Sequence, residues 1–273
     1  MIDTHCHILP GIDDGAKNME ESLLILKKAE RAGVTDIVLT PHYMWGTIYN
    51  ADNLKKWKLY QELKKQAKLA GIKINLYLGN EIYIDRRLPK MLKGYVNGGA
   101  GNAGGSSVVN GSNVGADASA GANADAGEKT SIYDLSTLNS RKHVLVEFPM
   151  QAKDKSAAKI LFALIQDGFV PVIAHPERYL YVQNDPNAMD EYLQIGCKLQ
   201  GNYKSLVGRY GKQAEKTLKK LLQDDKIFCL ASDIHRGTDE YKLDVATKKL
   251  EKLLKNHQKV QQLLHDNPAK MIA

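Results

Sequence analysis

The chain has 273 residues, of which 43% are hydrophobic and 25% charged, with a formal net charge of +7. That length supports one domain with a sizeable core, and the composition is that of an ordinary soluble protein. The three cysteines, Cys6, Cys197 and Cys229, lack the paired spacing of a disulfide frame or a Cys-rich zinc site, so a reducing compartment is expected. The sequence shows no signal peptide and no apolar run long enough to span a membrane, which makes the cytoplasm the expected location. The mild basicity suits an anionic substrate, and the lysines are too scattered to demand nucleic acid.

Residues 1–7 read as a short strand ending in His5-Cys6-His7. Residues two apart in an extended chain point the same way, so both imidazoles can hold one cation while Cys6 faces the core. The loop that follows carries Asp13 and Asp14 between Gly11 and Gly15, which let it fold back. A helix is expected over 18–32, with Leu23, Leu24, Leu26, Ala29 and Ala32 inward, Asn18 as its cap and Gly33 as its stop. The strand 36–40 is continuously apolar, as in a parallel sheet covered by helices, and it ends at His42. Residues 43–51 form an aromatic loop with Tyr43, Trp45 and Tyr49. A helix over 53–70 then has Leu54, Trp57, Leu59, Leu63 and Ala67 as candidate inner residues.

A third strand, 74–81, ends at Glu81, and a short helix is expected at 86–94. Residues 97–127 are rich in Gly, Ala, Ser, Asn and Asp; such a tract cannot offset its ordering entropy by apolar burial and reads as a flexible insertion. Strand character returns at 143–148. A helix over 154–167 leads to the strand 170–174, which ends at His175, with Arg178 close behind. A helix at 186–194, a short strand at 196–200 and a helix at 211–223 follow. The strand 227–231 ends at Asp233, His235 and Arg236, and helices at 240–253 and 256–266 finish the chain.

This alternation has about seven strands, five of which end in His, Asp or Glu. Ligands from so many strands meet most easily on a closed ring, so a distorted (β/α)7 barrel resembling a TIM barrel is expected, with its site at the carboxyl ends. His5, His7, Asp14, His42, Glu81, His175, Asp233 and His235 are enough ligands for two or three ions, with Glu81 a natural bridge. Closely spaced cations can hold a hydroxide and a phosphoryl oxygen together, which points to phosphate-ester hydrolysis. Arg178 and Arg236 are the candidate phosphate clamps.

The motifs His5 to Gly15, Thr40-Pro41-His42, Gly79-Asn80-Glu81, Ala174 to Arg178 and Ala231 to His235 resemble those of the polymerase and histidinol phosphatase (PHP) superfamily. Within it the chain resembles the bacterial manganese-dependent protein-tyrosine phosphatases of capsule and exopolysaccharide loci. The likeness spans nearly everything outside 97–127. It implies a single PHP-type barrel over 1–273 with three cations: His5, His7, Glu81 and Asp233 around one, Glu81 and His175 at the second, and Asp14, His42 and His235 at the third. Manganese is the implied metal, with iron, zinc, cobalt and magnesium as alternatives. The implied substrate is a phosphotyrosine protein, the tail of a polysaccharide-export tyrosine autokinase. Histidinol phosphatase activity is the alternative, and a PHP-type nuclease the remoter one. Arg178 matches the family's phosphate arginine. The second such arginine normally lies several residues beyond the last histidine, where this chain offers only Arg236.

Overall fold

The computed structural model describes residues 1–90 and 137–273, so the glycine-rich tract expected at 97–127 lies outside the described residues. The chain order is β1 (Ile2–Cys6), α1 (Met19–Arg31), β2 (Asp36–Leu39), β3 (His42–Tyr43), α2 (Asn53–Leu69), β4 (Asn75–Leu78), β5 (Glu81–Tyr83) and β6 (His143–Glu147). It continues with α3 (Ala157–Gln166), β7 (Val170–Ala174), α4 (Leu180–Asn184), α5 (Asp190–Gln194), β8 (Lys198–Asn202), α6 (Gly211–Gln223) and β9 (Cys229–Ala231). Three helices close the chain: α7 (Leu243–Leu254), α8 (His257–Gln261) and α9 (Asn267–Ile272).

Among the described residues all strand pairs are parallel and fall into two sheets, β1-β2-β4 and β3-β5-β6-β7-β8-β9. The division is local. Pro41 has no N–H to give, so the β2 stave is interrupted there before resuming as β3. Gly79-Asn80 interrupts β4 before β5. Backbone bonds run straight across both gaps: Thr40 donates to Cys6 O (2.9 Å), Gly79 to Leu39 O (2.8 Å) and Glu81 to Pro41 O (3.1 Å). The ring closes where Asp233 N–H donates to His5 O and His7 N–H to Ile234 O, each at 2.9 Å. The nine segments therefore make the seven staves of a distorted barrel.

Alternation along the staves creates two cores. Val38, Leu145, Val172, Ala174 and Cys229 point inward and meet Leu138 and Met271. Their neighbours Ile37, Leu39, Val144, Val146 and Ile173 face outward onto a helical shell that includes Ile25, Leu26, Leu63 and Leu161. Both strand faces are dry, hence the continuous apolar runs. Each large side chain so buried contributes roughly 1.5–3 kcal/mol. Met271 brings α9 to the amino-terminal end of the ring, where Asn267 Nδ2 donates to Phe228 O and Asn139 Nδ2 to Ile272 O, both at 2.8 Å. One mouth is thus closed by α9, and the carboxyl mouth is left to carry the site.

Two helix faces differ from the sequence expectation. On α1, Ser22, Ile25, Leu26 and Ala29 are buried while Leu24 is 47% exposed. On α2 the inner face is Lys56, Tyr60, Leu63 and Ala67, and Leu54 is outside. Tyr60 and Lys56 belong to the same helical stripe as Leu63 and Ala67, whereas Leu54 does not; Trp57 and Leu59 are partly buried beside it and pack against the core. Lys56 tolerates burial because its Nζ donates to Asn80 Oδ1 and lies 4.8 Å over the Tyr43 ring; burial pulls its pKa down to about 8. The helix at 256–266 also runs on as α9, after a wider turn over 262–266. Cys6 faces the core as expected, its thiol donating to Val38 O at 3.3 Å.

Candidate metal centre

Glu81 opens β5 in the middle of the carboxyl face. Its Oε2 lies 3.1 Å from His5 Nε2, 3.2 Å from His7 Nε2 and 3.2 Å from His42 Nδ1. Its Oε1 lies 3.0 Å from His175 Nε2. One buried carboxylate thus meets four imidazoles brought by three staves. Burial alone would raise its pKa, but His5, His175 and His7 hold it well below the usual carboxylate range.

The two histidines of β1 present their Nε2 atoms to each other at 3.0 Å. Each ring is fixed from behind at Nδ1: His5 by Gln200 Oε1 (3.0 Å) and His7 by Asp13 Oδ2 (2.9 Å). Two imidazole nitrogens this close, oriented by outer partners and facing two carboxylates, are arranged as ligands of a shared cation. Asp233 is the second carboxylate. Its Oδ1 is 3.4 Å and 3.5 Å from the same two Nε2 atoms. Its Oδ2 takes bonds from Arg178 Nη1 (2.6 Å), Asn202 Nδ2 (2.8 Å) and Tyr210 Oη (3.2 Å).

Asp14 lies on the other flank, its Oδ1 3.5 Å from His42 Nε2 and 3.6 Å from His235 Nε2. The His7 and His235 rings stack with centroids 4.0 Å apart. The loop reaches this position because Gly15 lies flat on the backbone of His7: a Cβ there would stand 1.8 Å from His7 O. Two of the candidate ligand positions are also strained. His175 has φ +34° and Asp233 φ +50°, left-handed conformations that non-glycine residues hold only when their surroundings dictate it, and that cluster at functional sites.

All eight sequence-predicted ligands therefore meet at one mouth. Three overlapping groups have ligand atoms mutually within 4.8 Å: His5, His7 and Glu81; His42, Glu81 and Glu147; and His7, Asp14, His42 and His235. The middle group departs from the expected partition by including Glu147, the last residue of β6. Its Oε1 is 3.6 Å from His175 Nε2 and its Oε2 3.9 Å from His42 Nδ1. Burial and then the neighbouring Glu81 charge push its pKa up to about 9. A cation held between these carboxylates would reverse that preference. Burial likewise pulls His175 and His235 down to about 4, which leaves neutral imidazoles free to ligate. The donor set fits two or three ions.

Asp13, Gln200 and Tyr210 also went unassigned in the sequence. Strand-end position was the available signal for Glu147 and Gln200; the other two depend on loop geometry. The two arginines diverge. Arg178 lines a cavity of about 330 Å³ together with Asp14, His42, Glu81, Glu147 and Asp233, its guanidinium carbon 4.6 Å over the Tyr210 ring. Arg236 is not among the residues lining it. Its Nη1 donates to Gly15 O at 2.6 Å, because Gly237, bonded to Glu21 at 2.8 Å, turns the chain toward α1.

The sequence matches the family described as "Capsular polysaccharide synthesis, CpsB/CapC" over residues 1–96 and 122–273. The chain belongs to the CpsB/CapC family. Among CpsB/CapC relatives, it is 28% identical over 235 residues to tyrosine-protein phosphatase YwqE of Bacillus subtilis (strain 168), covering 86% of this chain and 77% of that one. It is 27% identical over 282 residues to tyrosine-protein phosphatase CpsB of Streptococcus pneumoniae, covering 100% and 98%. The crystal structures of YwqE and of CpsB from S. pneumoniae, described as metal-dependent tyrosine phosphatases, include a chain that superposes with a TM-score of 0.80 at 26% identity, covering 100% of this chain and 94% of that one. A histidinol phosphate phosphatase from Lactococcus lactis shares the fold at 12% identity, TM-score 0.54, covering 96% and 94%. Among the described residues no helix is long and apolar enough to cross a membrane.

Proposed function

We propose that this CpsB/CapC chain is a cytoplasmic, manganese-dependent phosphomonoesterase acting on protein phosphotyrosine, its substrate the tail of a tyrosine autokinase of polysaccharide export. The observation that carries this reading is the contact of Glu81 with His5, His7, His42 and His175 at the floor of a cavity whose rim bears Arg178. Mixed imidazole and carboxylate donors suit Mn²⁺ among the divalent ions, with Fe, Zn, Co or Mg as competitors. His5, His7, Glu81 and Asp233 would hold one ion, Glu81, Glu147 and His175 a second, and Asp14, His42 and His235 a third. Bound there, the ions supply Lewis acidity and a hydroxide nucleophile at neutral pH.

The protein's own contribution is orientation. Gln200 and Asp13 fix the His5 and His7 rings. Arg178, flat against Tyr210 and tied to Asp233, presents its remaining N–H groups to the phosphoryl oxygens where charge builds. Arg236 holds the Asp14 loop instead of phosphate. The insertion at 97–127 is read as an addition to one barrel domain.

Histidinol phosphate is the second reading. Its ammonium group wants a carboxylate apart from the metals, yet the acids lining the cavity are Asp14, Glu81, Glu147 and Asp233, all of them within the ligand cluster. The test is turnover of a phosphotyrosine peptide and of histidinol phosphate by the Mn²⁺-loaded chain. Preference for the peptide is expected; preference for histidinol phosphate would overturn the reading.

A further inference from the structure

The aromatic loop after β3 has a defined form. Met44 N–H donates to Tyr49 O (2.9 Å) and Thr47 N–H to Met44 O (3.3 Å). The Thr47 hydroxyl donates to Met44 O (2.8 Å) and accepts from Tyr49 N–H (3.1 Å), and Gly46 supplies the φ of +76° the turn needs. The turn is also anchored from outside. The Arg87 guanidinium carbon sits 4.4 Å over the Trp45 ring, and Asp85 grips the same guanidinium at 2.7 Å and 2.6 Å. Tyr43 meets Trp45 edge-on, with centroids 5.8 Å apart.

This clamp sets Met44 and Tyr49 in the wall of the metal-centre cavity, where Tyr83 from the end of β5 and Met150 from beyond β6 join them. These four come from consecutive staves, the second, third and fourth of the ring. The charged rim residue Arg178 comes from the fifth. The mouth is thus divided: one arc offers thioethers and phenol rings, the other a guanidinium. Thioether sulfur and ring faces are the surfaces an aromatic guest prefers. A cavity of about 330 Å³ is near the lower end for ligand sites, room for a phosphate and one ring.

We infer that Met44, Tyr49, Tyr83 and Met150 form an aryl recess that makes the site selective for aryl over alkyl phosphomonoesters, with the Trp45–Arg87–Asp85 clamp as its positioning device. This rests on the phosphatase reading above and adds where the ester's ring is received. An alkyl ester held by its phosphate at the metals is too short to use the arc; an aryl ester fills it.

The test compares kcat/KM for phosphotyrosine and phosphoserine peptides of identical flanking sequence, in the Mn²⁺-loaded parent, the M44A/Y49A double variant and R87M. Metal content and melting temperature are measured on each. The expected parent preference is for the phosphotyrosine peptide. The aryl-to-alkyl ratio should fall about tenfold in M44A/Y49A, the scale of losing two ring or sulfur contacts, and about threefold in R87M, where the recess is loosened but intact. Equal losses on both peptides, with the ratio kept, would overturn the recess. So would a parent that hydrolyses both peptides without preference, while the phosphatase reading survived. A metal-loaded parent that hydrolyses neither would overturn both.

Discussion

Asp13 Oδ2 lies 2.9 Å from His7 Nδ1 and, at 3.0 Å, accepts the backbone N–H of His42, so one buried carboxylate orients two neighbouring parts of the metal centre. Its Oδ1 accepts from Gly15 N–H at 2.9 Å, which ties the loop to the same point. Burial would raise the Asp13 pKa, but the bonds and charge of His7 hold it below the usual carboxylate range. Asp13→Asn preserves the shape and removes the charge behind His7. Metal affinity should fall about 10- to 100-fold, the usual cost of losing an outer carboxylate. Titration of the metal-free chain with Mn²⁺ measures it, and unchanged affinity would show that His7 needs no such partner.

Glu81 is the one carboxylate shared by the His5–His7 group and the His42–Glu147 group. Glu81→Gln leaves one oxygen and substitutes an amide that cannot bridge. Activity should drop by more than about 100-fold, as when metal-centred stabilisation is broken, with metal stoichiometry falling by more than one ion. Full metal content and near-normal turnover would remove the bridging role.

What the sequence could show follows from geometry. A parallel barrel puts strand ends at one mouth, so His5, His7, His42, Glu81, His175, Asp233 and His235 were readable from strand patterning alone. Asp13 and Asp14 were not separable in that way. They are adjacent acids on one loop, and which faces His7 depends on Gly15 lying against the His7 backbone. Glu147 carried the same strand-end signal, but the run His143–Glu147 is buried throughout and reads as a plain core strand. Lys56 was not among the expected inner residues because helix phase, not residue type, decides which side of α2 is inward, and Asn80 supplies the acceptor that makes a buried ammonium tolerable.

Glu177 makes a pH prediction. Its side chain is buried, with Oε1 accepting from Asn202 N–H (2.9 Å) and Ser205 Oγ (2.7 Å) and Oε2 without a hydrogen-bond partner. Burial pushes its pKa from 4.5 up to about 7. Between those values the folded chain keeps a proton that the unfolded chain has released, so stability falls as pH rises through that window and stays lower above it. The loss is of order 3 kcal/mol. Glu177→Gln cannot ionise, so its stability relative to the parent should improve from pH 5 to pH 8. Urea unfolding of the metal-free chains checks this, since bound metal would add its own pH dependence. A parallel pair of stability curves would mean that Glu177 is ionised in the folded chain throughout.

The arginines give the sharpest contrast. Arg178 lines the cavity and Arg236 does not, although both follow a ligand histidine closely. Arg178→Ala removes the guanidinium proposed to receive the phosphoryl group and should cost about 2–4 kcal/mol in kcat/KM. Its partner Asp233 keeps Asn202 and Tyr210 as donors, so metals should remain bound. Arg236→Ala instead frees Gly15 O, and through it the loop that brings Asp14 to His42 and His235. Its effect should be smaller on chemistry and appear first as reduced occupancy at the Asp14 group, recoverable at high Mn²⁺. Inhibition by free phosphate separates the two roles: weakened in Arg178→Ala, and in Arg236→Ala restored to the parent value once metal is saturating. Phosphate inhibition that stays weak in metal-saturated Arg236→Ala would assign the second phosphate contact to Arg236 after all. It would require the Gly15 bond to break when substrate binds.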